Sequence, residues 1–306
     1  MSRHPSAPAA RRAFTLVEIM VALAVLLLIV VFISQLTNNA SRTVVSSGKQ
    51  IDADTQARVI FNRLAMDFSR MPKRADLDYA LKCPADPQPG NDRFAFYSEA
   101  YGYFPPDNRP AAAEKSPLSL VAYQIADDPL LGAPTPVLRR LAKGLRRAPA
   151  AADAPVYLPV KLLDQWNNLF TDSADYKTIG AQVFRLEYAY LLKPTASAPA
   201  RLSVTPWRAP RVTADGFRDV AALVVTLAIL DHASRQIVTN YTALTAALPD
   251  AVEDVNLTDT QNTKTLANTW GEIIKAPDFA AVAQIPKPAA AAVRVYERYF
   301  YLEDTP

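Results

Sequence analysis

The sequence of residues 11–33 reads RRAFTLVEIMVALAVLLLIVVFI, and it decides the first part of the fold. Between Phe14 and Ile33 only two residues, Thr15 and Glu18, are polar. At a rise of ~1.5 Å per residue, a helix over these residues spans about 30 Å, the thickness of the hydrocarbon core of a bilayer. The segment contains no glycine or proline that would interrupt a helix. It therefore predicts a membrane helix.

Basic residues precede this segment, and acidic residues do not. Arg3, Arg11 and Arg12 lie within the first thirteen residues, which contain no Asp or Glu. The positive-inside rule then places residues 1–13 in the cytoplasm and the chain beyond about residue 35 outside it. Without those three arginines the chain has 30 basic and 30 acidic residues. Such a balance indicates no electrostatic surface for nucleic acid.

Glu18 separates three interpretations of the segment. A secretory signal peptide also has a basic start and an apolar core, but this core is long, and SQLTNNASR (34–42) offers a poor small-x-small cleavage site. A plain membrane anchor gives no role to Glu18. Placing a carboxylate inside a membrane span costs about 2–3 kcal/mol of insertion free energy, so such a residue usually has a function. The simplest alternative is that Glu18 lies close enough to the interface to reach water.

The third interpretation accounts for every residue of the segment. The segment closely resembles the prepilin leader of type IV pilins and of type II secretion pseudopilins. In that family a prepilin peptidase cuts the leader immediately before a Phe, and the new amino group is then methylated. The resemblance implies cleavage between Ala13 and Phe14, N-methylation of Phe14, and Glu18 as the fifth mature residue. The family's FTLVE is matched at every position. Ala13 replaces the usual Gly, so we expect slower processing.

The resemblance also implies that Glu18 is an assembly residue. The α-amine of Phe14 on a neighbouring subunit would neutralise its carboxylate, and such a pair sets the register between otherwise uniform helices. The partners implied are the prepilin peptidase/methylase, other pilin-like subunits along the N-terminal helix, and a secretion or pilus assembly platform. The implied location is the bacterial inner membrane, crossed once, with a cytoplasmic N-terminus and an extracytoplasmic globular domain.

The helix is predicted to continue to residue 71, because no proline occurs before Pro72. Beyond residue 50 an apolar stripe with alternating spacings of four and three comprises Ala57, Phe61, Leu64, Phe68 and Met71. Charged residues between them, Asp67 included, are expected on a solvated face. We therefore predict a leader (1–13), a transmembrane helix (14–34), an amphipathic extension (35–71) and an extracytoplasmic globular α+β domain (72–306).

Short strand patterns fill much of the globular domain. They are RFAFYS (93–98), LSLVAYQI (118–125), VFRLEYAYL (183–191), VAALVVTLAIL (220–230) and VRVYERYFYL (293–302). Polar and apolar residues alternate in the segment 183–191, which predicts a half-buried strand. The apolar segment 220–230 is too short to span a membrane and is predicted to be a central strand. Other segments fit strand or helix (136–145), a short helix (162–170), or mainly helix and loop (241–283).

One long helix followed by antiparallel strands predicts an α+β fold. The order of the strands also resembles the J-type minor pseudopilins. The size of the chain, its N-terminus and the ending YERYFYL resemble the Verru_Chthon cassette protein C group, which consists of prepilin-like proteins.

Few residues offer catalytic or metal-binding chemistry. His232 is the sole histidine beyond the leader and lies in a predicted turn beside Asp231 and Ser234, without a nucleophile turn or an HExxH motif. The segment 250–259 does contain oxygen ligands of the kind calcium prefers, on Asp250, Glu253, Asp254 and Asp259. It lacks the spacing and glycine of an EF-hand, so a solvated loop is favoured and no cofactor is expected.

The function predicted is that of a minor pilin-like or pseudopilin subunit, assembled into a type II secretion pseudopilus or a type IV pilus-like filament. Such a chain is a substrate of enzymes and not itself an enzyme. The alternative is a signal-anchored extracytoplasmic binding module or an unrecognised enzyme. The position of the mature N-terminus distinguishes the two hypotheses.

Overall fold

The chain divides into two compact units, residues 1–48 and 49–306. The computed structural model describes residues 16–72, 82, 88–104, 111, 115–128, 134–146, 175–206, 217–251, 255–256 and 265–302. The short helix predicted over residues 162–170 lies outside these ranges. The described elements form an N-terminal helix and an antiparallel sheet domain, so the predicted α+β fold class is confirmed.

The first element is the helix α1, Leu16–Ser69. Within it, Leu16–Ser41 is long and apolar enough to cross a membrane, with a mean hydropathy of 3.2. Its apolar side chains are exposed, as expected of residues that would face lipid. The hydroxyl of Thr37 donates to the carbonyl of Ile33 at 2.9 Å, so the helix itself satisfies this polar group.

In the second unit the predicted apolar stripe is buried at every position. Ala57, Phe61, Leu64 and Phe68 enter the main core together with Met71, which follows the helix end. The prediction for the charged positions was wrong at one residue. Asp67 is buried, because the first sheet covers its side of the helix and supplies a partner for its carboxylate.

The first sheet contains four antiparallel strands in chain order. They are β1 (Phe94–Ser98), β2 (Lys115–Asp127), β3 (Pro136–Arg146) and β4 (Lys177–Gly180). Residues 136–145, which fitted strand or helix, are therefore strand. The long hairpin of β2 and β3 is in register from Ser119 opposite Gly144 to Asp127 opposite Pro136.

The second sheet contains five antiparallel strands. They are β5 (Val183–Leu192), β6 (Arg201–Ser203), β7 (Val220–Ile229), β8 (Val255–Asn256) and β9 (Arg294–Tyr301). Their order is β8-β6-β5-β7-β9, so β7 is an interior strand as predicted and β9 lies at an edge.

The main core lies where α1 and one face of each sheet meet, around Ile60, Phe94, Val121, Leu186 and Val225. Short helices cover the other face of the second sheet. They are α2 (His232–Arg235), α3 (Tyr241–Ala246), α4 (Leu266–Lys275), α5 (Phe279–Val282) and α6 (Lys287–Ala290). The described part of 241–283 is thus mainly helical, as predicted.

Because β5 is covered on both faces, its predicted half-burial was wrong. Arg185 and Glu187, the polar residues of the alternating pattern, are only 1% and 0% exposed. An additional cluster that includes Trp270 and Phe279 packs on the face that the pattern assigned to solvent. Two interior charges therefore need partners within the protein.

The segment just before β1 completes the hydrogen bonding of β5. Strand β6 is short and pairs only with residues 190–192 of β5. Further along β5, the backbone N–H of Leu186 donates to the side chain of Asn91 at 2.9 Å, and that of Tyr188 donates to Asp92 at 2.9 Å. The backbone N–H of Asp92 donates in return to the carbonyl of Leu186, also at 2.9 Å. These bonds hold the Asp92 carboxylate against the strand that contains Glu187.

Candidate functional site

The first candidate site is the N-terminal helix with its acidic residue. Glu18 lies in the first turn of α1, where its side chain is exposed among apolar neighbours. Ala13 and Phe14 lie outside the described residues, so cleavage, methylation and the contact with Glu18 stay predictions. A carboxylate on an otherwise apolar helix surface is costly in lipid unless a cation neutralises it.

His232 is the first residue of α2 and directly follows Asp231, which caps that helix. The Asp231 carboxylate accepts hydrogen bonds from the backbone N–H groups of Ala233 and Ser234, at 3.1 and 3.2 Å, and so caps α2. The Nζ of Lys49 approaches Asp231 at 3.8 Å and donates to the Ser234 hydroxyl at 3.1 Å. The His232 ring instead contacts Gln236 at 3.3 Å. Asp231 and Ser234, the two residues that we considered as partners of His232, instead bond to the backbone of α2 and to Lys49.

The acidic loop considered for calcium contributes one described residue. Asp250 pairs with the Arg185 guanidinium at 2.5 Å and accepts a hydrogen bond from the backbone N–H of Gly90 at 3.0 Å. Glu253, Asp254 and Asp259 lie outside the described residues. Within the described ranges, no three His, Cys, Asp or Glu side chains come together in a way that could hold a metal ion. Calcium binding by this loop stays a prediction.

A cleft of 1320 Å³ opens between the β2–β3 end of the first sheet and helices α2 and α3. Arg185 and Arg235 line it, and Nε and Nη2 of Arg235 are buried without a hydrogen-bond partner in the described structure. Burial raises the pKa of the Tyr241 phenol on the same wall, and the Arg235 charge opposes this shift. Asp127 and Asp250 also line the cleft, so its wall contains charges of both signs. Its residues come from separate segments, so no local pattern predicted it.

Among the described residues of the second unit, two clusters of buried charges stand out, and the first joins α1 to the first sheet. The Arg140 guanidinium donates to both Asp67 oxygens, at 2.6 Å from Nε and 2.9 Å from Nη2. The Tyr123 hydroxyl also donates to Asp67. Burial and the Asp67 charge raise the pKa of Tyr123 well above its usual value, although Arg140 opposes the shift. The cluster positions the helix against the sheet.

The second cluster brings together Lys82, Asp92, Arg185 and Glu187. The Nζ of Lys82 lies 2.6 Å from Oδ2 of Asp92 and 2.9 Å from Oε2 of Glu187. Glu187 also lies 3.1 Å from Arg185, which stacks over the ring of Trp270 at 5.6 Å. The sequence analysis did not identify this cluster. Its one signal was the pair of charges in a strand otherwise rich in aromatic residues.

Burial is the main influence on the pKa values of the second cluster. It raises the pKa of Asp92 well above the usual value, and the neighbouring Glu187 charge adds to this effect. Burial likewise raises the pKa of Glu187, against the lowering influence of Lys82 and Arg185. For Lys82 burial lowers the pKa, but the attraction of the two carboxylates outweighs it, and the net shift is upward. The cluster therefore retains protons that separate carboxyl groups would release.

Comparison with known families identifies the N-terminal segment. A family model described as the prokaryotic N-terminal methylation motif matches residues 8–34. The matched range includes Ala13, Phe14 and Glu18. No curated protein matches the chain.

The motif and the helix that overlaps it support a coarse assignment of the N-terminal segment. The chain has the N-terminal methylation motif of prepilin-like proteins, which supports its placement in the type IV pilin-like family. Its N-terminal helix has the length and composition of a single-pass membrane anchor. The motif implies processing by a prepilin peptidase and assembly with other pilin-like subunits. Proteins with this motif have structural roles in general.

Proposed function

We propose that this protein is a minor subunit of a type II secretion pseudopilus or of a type IV pilus-like filament. The observation that carries the proposal is that the methylation motif, residues 8–34, overlaps the exposed apolar stretch Leu16–Ser41 of α1, in which Glu18 is the one acidic residue. The subunit is inserted in the bacterial inner membrane, with the leader in the cytoplasm and the sheet-containing unit outside. It is a substrate of a peptidase and a methylase, and its own role is structural.

Charge neutralisation explains how the helix would guide assembly. In a bundle of apolar helices, an ionised carboxylate is stabilised when an opposite charge comes within a few ångströms. The α-amine of Phe14, exposed by cleavage after Ala13, provides that charge on a neighbouring subunit. Apart from Glu18, the helix from Leu16 to Ile33 has only apolar side chains, which specify little about register. The pair between Glu18 and the amine would therefore choose one relative position of two subunits.

The mature N-terminus tests the first step of this proposal. The full-length chain is produced in a host with an active prepilin peptidase, and its N-terminal peptide is analysed by mass spectrometry. We expect N-methylated Phe14 as the first residue. Cleavage near Ala40 would instead indicate a secretory signal peptide, and an uncut chain a plain membrane anchor. Either result would overturn the proposal.

Assembly is tested with variants of the acidic residue. Glu18→Ala should be processed and inserted in the membrane, but lost from filaments sheared from the cells. Glu18→Asp keeps the charge and should retain part of the incorporation. Thr37→Val is the matched control, because the hydroxyl of Thr37 donates to the Ile33 carbonyl of its own helix. Equal incorporation of Glu18→Ala and Thr37→Val would contradict the role of Glu18.

A further inference from the structure

Lys82, Asp92 and Glu187 form a closed group in the interior. Lys82 is 3% exposed, and neither carboxylate has exposed surface. The Lys82 amine lies in contact with both acids, at 2.6 Å from Asp92 and 2.9 Å from Glu187. The backbone N–H of Tyr188 donates to the same Asp92 oxygen at 2.9 Å and fixes that side chain. The folded protein thus holds an amine, a carboxyl group and a second acid in contact with one another.

Aromatic side chains separate this group from solvent. The ring of Tyr188 lies 5.4 Å from the Lys82 amine and packs edge-on against Phe94 at a centroid distance of 5.3 Å. The hydroxyl of Tyr190 donates to the backbone carbonyl of Lys82 at 3.0 Å. These contacts fix the lysine backbone and shield the amine. Positioned groups that water cannot reach react with effective molarities of ~10⁵–10⁸ M.

The protonation of Asp92 suits a condensation, whereas, against the effect of burial, the two carboxylates raise the pKa of Lys82 and so oppose the loss of its proton. Two carboxyl groups share the environment of one ammonium, and burial together with the Glu187 charge keeps the pKa of Asp92 high. A protonated carboxyl is an electrophile, whereas a carboxylate is not. Oδ1 of Asp92 has no hydrogen-bond partner among the described residues, so no contact there holds it as an anion. Glu187 contacts the amine and can accept its proton.

We propose that Lys82 and Asp92 condense to an intramolecular isopeptide bond, with Glu187 as the group that transfers protons. The Lys82 ammonium first gives one proton to Glu187. The neutral amine then attacks Cγ of the protonated Asp92, and the Nζ–Cγ bond forms. Glu187 takes a second proton from the nitrogen as it delivers the first to the departing hydroxyl. The C–O bond breaks and one water molecule leaves, with Glu187 protonated and no redox change.

The bond would tie Lys82 to Asp92 and so close a loop within the segment before β1, where the backbone N–H of Asp92 donates to Leu186 of β5 and its carboxylate accepts from Tyr188. The tie needs no oxidising compartment, unlike a disulfide, and the chain has only one cysteine. The closed loop would persist in denaturants, because an amide does not dissociate. This proposal is independent of filament assembly and holds equally if the N-terminal helix is a simple anchor.

Tryptic peptide mapping tests the bond. The full-length protein is purified in detergent, denatured, digested with trypsin and analysed by mass spectrometry. Without the bond, trypsin cuts after Arg74, Lys82 and Arg93 and releases peptides 75–82 and 83–93. With the bond, Lys82 no longer directs cleavage. A single peptide 75–93 should then appear, lighter than its linear form by one water.

Fragment spectra must place the lost water between Lys82 and Asp92. A succinimide at Asp92 would lose the same mass but leave the chain cleavable after Lys82. Recovery of wild type as the two free peptides, or as the succinimide form, would overturn the proposal. This result needs no variant and so does not depend on whether a substituted protein folds.

Variants test the assigned roles. Lys82→Arg and Asp92→Ala should remove the linked peptide. Glu187→Gln should also yield the two free peptides, because an amide cannot take the amine proton. Glu297→Gln is the matched control, since Glu297 lies two strands away from Glu187 on the same face of the sheet and its carboxylate accepts from Thr226 and Ala267. A Glu187→Gln protein that is linked as fully as Glu297→Gln would overturn the role of Glu187.

Discussion

Asp67 on α1 and Arg140 on β3 form a buried two-point ion pair, with distances of 2.6 Å from Nε to Oδ2 and 2.9 Å from Nη2 to Oδ1. The pair joins two elements that are far apart in the chain. It uses both carboxylate oxygens of an acidic residue inside the core. Its formation depends on the helix and the sheet reaching one relative position, because the planar guanidinium accepts little misalignment.

Asp67→Ala should lower the free energy of unfolding by about 3–5 kcal/mol, because it leaves the Arg140 charge buried without its partner. Urea titration of the full-length protein in detergent measures the change. Arg63→Ala is the control, since Arg63 is partly exposed and its Nε lies 3.7 Å from Asp67, farther than the Arg140 guanidinium. That change should cost about 1 kcal/mol or less. Asp67→Ala combined with Arg140→Met should recover much of the loss.

Two neighbouring residues of α1 should differ sharply in their contribution to stability. Ile60 is fully buried in the main core, whereas Val59 is 57% exposed. Ile60→Ala should cost about 2–5 kcal/mol through lost burial and the cavity left behind. Val59→Ala should stay within about 0.5 kcal/mol of wild type. Equal effects in thermal unfolding would contradict the assigned helix face.

Stability should fall at alkaline pH because of buried tyrosines. Burial raises the pKa of the Tyr123 phenol well above its usual value of about 10. A raised folded-state pKa means that the neutral phenol stabilises the fold below the unfolded-state pKa, and that this contribution disappears as the pH rises through the folded-state pKa. Tyr123 should therefore ionise only as the protein unfolds.

Tyrosinate absorbance and circular dichroism, followed together against pH, measure this coupling. Tyr123→Phe should remove one phenol from the step that coincides with unfolding. Tyr299, near the sheet edge, has a pKa raised to about 12 by burial and by the charge of Glu297. Tyr299→Phe should leave the unfolding step closer to wild type. Ionisation of Tyr123 in a protein with an intact spectrum would contradict the prediction.

Ala13→Gly should accelerate removal of the leader, because the wild-type chain has Ala where the resembled prepilins nearly always have Gly. Pulse-chase labelling in a host with an active prepilin peptidase gives the rate from the ratio of cleaved to uncleaved chain. Ala10→Gly controls for increased flexibility elsewhere in the leader. Unchanged kinetics for Ala13→Gly would show that this position does not limit processing.

Local patterns predicted much of the fold. The apolar stripe from Ala57 to Phe68 repeats with the helical period, and the strand at residues 220–230 is a continuous apolar run. Such signals depend on neighbouring residues alone and survive in any compact arrangement. The sequence also supplied the N-terminal motif, because its residues are contiguous. The cleft between α2, α3 and the first sheet had no comparable signal, since separated segments line it.

By itself, the sequence determined the apolar helix with Glu18, the buried stripe that follows, the class of fold and the main strands. Only the tertiary structure decided that Asp67, Arg185 and Glu187 are interior residues. Alternation along β5 shows that the strand has two faces, but it does not show what covers the second one. Lys82 and Glu187 are 105 positions apart and meet through packing. Whether a charged side chain faces water or a buried partner depends on such distant contacts, and a local pattern contains no information about them.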